Sequence, residues 1–314
     1  MRALLLLTLL GACTEPVVGQ VEQEVTQCTT PVLEGVDIYD GTGTIDWAKV
    51  KGAGRDFAFI KATQGDYNKQ TKFGTNWTTA KAAGIRRSAY HFFDPTKDGV
   101  AQANFFLAAI AAQGGLQPGD LPPMLDIECP TSSSQSGASA NCEFTGNSGW
   151  VPTAMLKQRI FDWLDTVEAA TGTKAYIYSY VSWFASTGMT DARLAGYPLY
   201  IASYASCAQI PAPWTSAVFW QYSATTRVAG ITNPGDVDRF FGTLADLDGL
   251  TIQPPVDAGV DAGVADAGND AQGDPLTGDK AGCGCRTSGG GGWPIALALL
   301  AVLTRAGRAR RRRS

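Results

Sequence analysis

Short apolar runs recur along the middle of the chain, each bounded by turn residues or by a stretch with helical spacing. GVDIY from Gly35, FAFIK from Phe57, SAYHFF from Ser88 and PMLDIE from Pro123 read as strands. AYIYSY from Ala175, LYIAS from Leu199, VFWQY from Val218 and VDRFF from Val237 complete a set of eight. Amphipathic helices are predicted over 46–52, 76–83, 100–112 and 152–170, the last with Pro152 at its first position. The gaps after the fifth and sixth strands are shorter and less helical. This pattern predicts an α/β domain over residues 33–252: a modified (β/α)8-type barrel with fewer helices in its last third. An open doubly wound sheet is the alternative.

The two ends of the chain follow other patterns. Arg2, the Leu-rich run 4–10 and the small residues after it have the three parts of a secretory signal, too short to span a bilayer as a helix. Leu10-Gly11-Ala12-Cys13 resembles the lipobox of bacterial lipoproteins. That resemblance implies a signal peptide over 1–12, lipidation of Cys13 and a tether over 13–32. An ordinary signal peptide is the other reading. Residues 254–282 repeat VDAG without aromatics or apolar periodicity. Self-repelling Asp and little apolar surface predict a disordered linker over 253–282. The final segment, 283–314, has Cys283-Gly284-Cys285, a Gly run, an apolar stretch over 293–303 and an Arg cluster. It resembles a MYXO-CTERM sorting tag, which implies a sorting protease and delivery to the cell surface. A short membrane anchor is the other reading, and Arg would hold that end in the cytoplasm. Both make the protein exported and held in the cell envelope by lipid, C-terminal segment or both.

Charge sharpens this division. The net charge of −4 argues against a nucleic-acid partner. Seven Arg of residues 283–314 mask the rest, leaving −11 for residues 1–282. Seven Cys suit an exported chain. Setting aside Cys13, Cys283 and Cys285 leaves four, which allow three pairings. Cys129 and Cys142 bracket a Ser-rich insertion, as a staple at the base of a loop would, and Cys28 with Cys207 follows by elimination.

Candidate chemistry is acidic. Barrels of this type work at the C-terminal ends of their strands. Asp37 follows the first run's apolar start, Asp126 and Glu128 end the fourth, and Asp236 with Asp238 open the eighth. Asp126 and Glu128 are two apart, so on a strand they share a face, with Cα atoms ~7 Å apart. Between apolar neighbours both cannot ionise cheaply, which yields a proton donor near neutral pH, the requirement of glycosidic cleavage. A solvated strand end or a metal site would use the same D-x-E. No Cys/His cluster accompanies it, and no metal or cofactor is expected.

The runs GVDIYDGTGTIDWAKVKGAGRDFAFIKATQGD, AAGIRRSAYHFFDP, PPMLDIE, FWQYS and DVDRF, taken in order, resemble glycoside hydrolase family 25, the Chalaropsis-type lysozymes or N-acetylmuramidases. The resemblance covers residues 33 to about 245. It implies a monomeric hydrolase of peptidoglycan glycan strands, cutting the β-1,4 bond between N-acetylmuramic acid and N-acetylglucosamine. Glu128 would be the proton donor. Asp126 would stabilise the developing cation or an oxazolinium, or act as nucleophile. Asp37 and Asp238 would complete the cluster, Asp238 being preferred to Asp236 because it follows Val. The family's KATEG segment carries Gln64 here, which removes a charge near the cleft without removing the four carboxylates.

Tyr39, Tyr67, Tyr90, Tyr178, Trp183, Tyr204, Trp220 and Tyr222 fall at or past predicted strand ends, about half of them as core. Tyr90, Tyr67, Tyr178, Trp220 and Tyr222 are the candidate substrate contacts. His91 alternates away from Tyr90 and reads as a structural residue. Two rivals share these features: a non-catalytic glycan-binding protein, and a hydrolase of another amino-sugar polymer.

Overall fold

The computed structural model describes residues 25–28, 32–128 and 151–254. Cys13, Cys129, Cys142, the linker beyond residue 254 and the tag lie outside the described residues.

The strands, in chain order, are β1 (Val25–Gln27), β2 (Val32–Ile38), β3 (Arg55–Gln64), β4 (Asn68–Lys69), β5 (Arg86–Phe92), β6 (Met124–Asp126), β7 (Tyr176–Tyr180), β8 (Leu199–Ala202), β9 (Ala208–Ile210), β10 (Phe219–Thr226) and β11 (Gly235–Phe241). The helices are α1 (Trp47–Gly52), α2 (Phe73–Ala82), α3 (Gly99–Ala111), α4 (Thr153–Thr171), α5 (Val181–Thr187) and α6 (Leu244–Gly249). All eight expected strands are present. They run in the order β2-β11-β10-β8-β7-β6-β5-β3, and a β2–β3 pairing closes them into a barrel. Pro152 precedes α4 with non-helical ψ of 145° and serves as its N-cap, with Thr153 taking the first helical position.

One strand departs from the (β/α)8 expectation. β11 is antiparallel to both β10 and β2, whereas the other barrel pairings are parallel. The cause is the length of the connection. A parallel crossover needs a dozen or more residues, usually with a helix, and only eight lie between Thr226 and Gly235. The chain therefore turns back on itself, and the first residues of β11 reach the end of the barrel where the parallel strands finish.

Alternation along the strands sorts their side chains into two cores. Phe57, Phe59, Tyr90, Met124, Tyr176, Tyr178, Tyr200, Phe219 and Phe240 fill the barrel. Val36, Ile60, Leu125, Ile177, Ile201, Trp220 and Val237 face outward, against a layer that includes Trp77, Phe106, Trp163 and Leu164. The inner aromatics meet mostly edge-on or tilted: Phe59 and Tyr200 centroids lie 4.8 Å apart, Phe57 and Phe219 4.9 Å. Outside, Phe106 of α3 lies 5.3 Å from Trp163 of α4. The Arg87 guanidinium on β5 is buried in an ion pair with Asp120 at 2.8 Å and lies over the Trp77 ring.

The inner packing leaves no room on β2. A Cβ at Gly35 would stand 2.3 Å from the Phe57 ring. Gly35→Ala is expected to destabilise the protein by about 1–3 kcal/mol through overpacking, measured by denaturant unfolding. Combining it with Phe57→Leu should recover part of the loss, whereas an additive double variant would show that the ring is not the obstacle.

Candidate active site

The inward positions at the C-terminal ends of the parallel strands are polar, and they converge. Asp37, Lys61, Asp126, Glu128, Gln221 and Asp236 line a cavity of about 180 Å³ together with Tyr39, Tyr90, Phe92, Met124, Tyr178 and Tyr204. Each arrives by the same alternation that fills the barrel below. Asp126 pairs in register with Phe92 on one side and Tyr178 on the other. The ladder continues past β6, since the Ile127 amide donates to the Tyr178 carbonyl at 2.9 Å. Ile127 packs into the outer core, so Asp126 and Glu128 both face the cavity. The Tyr180 hydroxyl donates to the Glu128 carbonyl at 3.2 Å and ties down the residue beyond the strand end.

Gln221 is the hub of the hydrogen bonds here. Its Oε1 accepts from the Tyr178 hydroxyl at 2.9 Å and the Tyr204 hydroxyl at 2.7 Å. Its Nε2 donates to Asp37 Oδ2 at 2.5 Å. A register shift follows it on β10, where Gln221 opposes Asp238 and Ser223 opposes Val237. A second shift, between Lys61 and Thr63, leaves Lys61 inward while Thr63 meets His91 on the outer side. Bulges of this kind commonly re-aim side chains beside active sites.

Burial dominates the electrostatics. The Asp126 carboxyl is pushed well above the usual carboxylate range by burial and then by the charge of Glu128, and its Oδ1 has no hydrogen-bond partner. Asp37 is raised to about 6 by burial, against the opposing effect of Gln221. Asp236 stands directly across from Asp37 in the β2–β11 ladder. Burial, then the Asp37 charge, raise Asp236 to about 10, so its carboxyl stays protonated and donates to Asp37. Asp238 lies two residues deeper, opposite Gly35 and fully buried. Neither of its oxygens meets a partner at hydrogen-bond geometry, although the nearby Tyr200 hydroxyl offsets part of the upward push of burial on its pKa. Lys61 is the buried counter-charge: its Nζ donates to Gln64 Oε1 at 3.0 Å, lies 4.2 Å from the Phe92 ring centroid, and draws down both Asp37 and Asp126.

The structure thus brings Asp37, Asp126, Glu128, Tyr90 and Tyr178 to one cavity and sets Asp238 beneath it. Trp220 and Tyr222 are placed elsewhere. Alternation turns both outward: Trp220 stacks on Phe241 and donates to the Ser203 carbonyl, while the Tyr222 hydroxyl bonds Glu34. Gln221 between them is the residue of that motif that reaches the cavity. Tyr67 is exposed on the turn after β3, at the same end of the barrel but outside the cavity lining. Gln64 is buried behind Lys61. His91 faces outward as expected, bonded to Thr63 and Gln102, and burial lowers it to about 3. Trp183 is core. Cys28 and Cys207 form a disulfide. Lys61 was not among the expected site residues, Gln221 entered only within the Trp220–Tyr222 motif, Tyr204 only among the strand-end aromatics, and Asp236 ranked below Asp238. Period-2 registration against the neighbouring acidic strands would have found Gln221, and the short gap before β11 would have pointed to Asp236.

A barrel that ends in buried, converging carboxylates under an aromatic rim belongs with the hydrolases that work through paired carboxyl groups. Residues 36–231 match the model for glycosyl hydrolases family 25, and the chain belongs to that family. It is 35% identical over 235 residues to Lysozyme M1 of Streptomyces globisporus, covering 73% of this chain and 74% of that one. It is 32% identical over 220 residues to the N,O-diacetylmuramidase of Chalaropsis sp, covering 66% of this chain and 96% of that one. Among solved structures, the bacterial lysozyme from Streptomyces coelicolor superposes with a TM-score of 0.61 at 35% identity, over 71% of this chain and 98% of that one. The family GH25 lysozyme from Aspergillus fumigatus gives 0.60 at 29% identity, over 70% and 99%. Asp236 and Asp238 lie beyond the stretch matched by the family model.

The Asp236 proton carries a stability signature. Its native pKa of about 10 exceeds the ordinary 3.8, so the native chain keeps a proton that the unfolded chain releases. Stability from this group is therefore lost as pH rises through that window. Asp236→Asn lacks the effect. Its melting temperature relative to the parent is expected to climb between about pH 5 and about pH 8, and a pH-independent difference would refute the protonated carboxyl.

Proposed function

We propose that this family 25 hydrolase is a muramidase that cuts the β-1,4 bond between N-acetylmuramic acid and N-acetylglucosamine in peptidoglycan, with Glu128 as general acid and Asp126 beside it. The observation that carries the reading is the placement of both carboxyls on one inward face, in a cluster too deeply buried for all its members to ionise. In the first step the Glu128 carboxyl gives its proton to the glycosidic oxygen as the bond to the anomeric carbon breaks. The buried pair shares one proton, and with it on Glu128 the ionised Asp126 meets the positive charge left on the sugar directly or polarises the substrate's own acetamido oxygen. Water then adds to the anomeric carbon and returns a proton to Glu128. Lys61 supports the reading by balancing the negative charge that remains in a dry site. Asp37, held by Gln221 and Asp236, and Asp238 below set the charge state around the pair.

The test uses the full chain on purified peptidoglycan, counting new reducing ends by sugar type. Glu128→Gln should lower turnover by about 10²–10⁴-fold, the range of a general acid, and Asp126→Asn should also impair it severely. Reducing ends at N-acetylmuramic acid support the reading. Equal output from the parent and Glu128→Gln would overturn it, and cleavage of chitin-like polymers alone would favour another amino-sugar substrate.

Work outside the cytoplasm is part of the same proposal. Export through residues 1–12, lipidation of Cys13 and sorting through 283–314 would hold the enzyme in the envelope. Cys13→Ala is expected to move the protein from the membrane fraction to the soluble one. An unchanged distribution would leave the C-terminal segment as the anchor.

A further inference from the structure

The cavity rim carries a tyrosine that the hydrolysis above does not use, and an unusual amount of structure is spent on holding it. Tyr204 is 64% exposed, yet its hydroxyl is fixed by the bond to Gln221 at 2.7 Å. One end of its loop is tied to the barrel: the Ser203 amide donates to the Gln221 carbonyl at 3.1 Å, and Trp220 Nε1 donates to the Ser203 carbonyl at 2.6 Å. The other end passes through exposed Ala205 and Ser206 to Cys207, whose disulfide reaches Cys28, 179 residues away in sequence. Around that bond the short strand β1 pairs with β9, Val25 opposite Ile210 and Gln27 opposite Ala208. The Gln27 side chain then clamps the barrel twice, accepting from the Ala217 amide at 2.8 Å and donating to its carbonyl at 3.2 Å.

We propose that residues 25–28 form a strap that positions Tyr204, and that the Tyr204 ring takes the apolar face of a sugar unit at the mouth of the cleft. A large aromatic ring left in solvent costs hydrophobic free energy, whereas a ring already held in one orientation loses little entropy when a ligand covers it. The hydroxyl is satisfied within the protein, so the face is what remains to offer. The strap acts through the loop, which makes Cys28, Cys207 and Gln27 positioning residues and Tyr204 the contact. This rests on the reading of the chain as a glycan-strand hydrolase.

The test compares KM and kcat of the full chain on soluble, peptide-free peptidoglycan strands. Tyr204→Ala should raise KM by about tenfold, the expected loss of one stacked ring, whereas Tyr204→Phe, which keeps the ring and loses only the bond to Gln221, should raise it far less. Tyr204→Trp, which keeps a platform, should restore most of the affinity. Cys28→Ala/Cys207→Ala should raise KM to a similar extent, and adding Tyr204→Ala should make it no worse, because both act on the same contact. A Cys28→Ala/Cys207→Ala variant with the parental KM, or effects that multiply in the combined variant, would overturn the proposal. Should that variant fail to show a cooperative melt, Gln27→Ala decides: a raised KM supports the strap and a parental KM rejects it. A parent with no turnover would signal failure of the muramidase reading instead. Calorimetric binding of the same strands to parent and Tyr204→Ala then still tests the contact, equal affinities rejecting it.

Discussion

Everything at the site hangs on the way β2 is paired. On one side it runs parallel to β3, and on the other it meets β11 head-on, so a single strand joins the beginning and the end of the barrel. That closure sets Asp236 opposite Asp37 and Asp238 opposite Gly35. Had β11 entered parallel, its opening residues would sit at the far end of the barrel, away from Asp126 and Glu128. The gap of eight residues after β10 excludes a helical crossover, and the reversal follows. A carboxylate from the last strand therefore reaches the same layer as carboxylates from the first and the fourth expected strands.

The second constraint is dryness. Aromatic rings fill the barrel below the polar layer, and Asp37, Asp126 and Asp238 are buried against them. Desolvation heads the causes of the raised carboxyls at Asp37, Asp126, Asp236 and Asp238. Like charges so close in such a medium share protons instead of ionising together. Lys61 is the buried cation beside the cluster, and Gln221, bonded to Tyr178, Tyr204 and Asp37, fixes its Asp37 end. The same desolvation that makes the layer costly for folding prepares it for acid–base chemistry.

The rim obeys a different logic. Tyr39, Tyr67 and Tyr204 are exposed at the barrel end where the strands finish, while Tyr90 and Tyr178 are buried within the cavity wall. Exposed rings need outside help to hold an orientation. For Tyr204 that help comes from the hydrogen bond to Gln221 and from a segment at the opposite end of the sequence, through β1 and the Cys28–Cys207 bond. Core and rim thus draw on separate parts of the chain, one on local alternation and the other on a long-range tie.

Much of this was written in the amino-acid pattern. Eight apolar runs, the main helices and the shared face of Asp126 and Glu128 follow from periods of 2 and 3.6, which depend on backbone geometry and local burial alone. The motif order carried the family, and alternation separated Tyr90 from His91. Alternation also held the answer for Trp220 and Tyr222, but an aromatic residue suits an outer core as well as a cleft, and composition does not say which face of a strand looks inward. Only closure of the barrel decided that, by giving β10 an inside. It likewise decided that Asp236 lines the cavity while Asp238 lies under it, and that Lys61 is a buried cation and not a surface one. These are properties of register between strands distant in sequence, and register is set by packing across the whole barrel, not by any one segment.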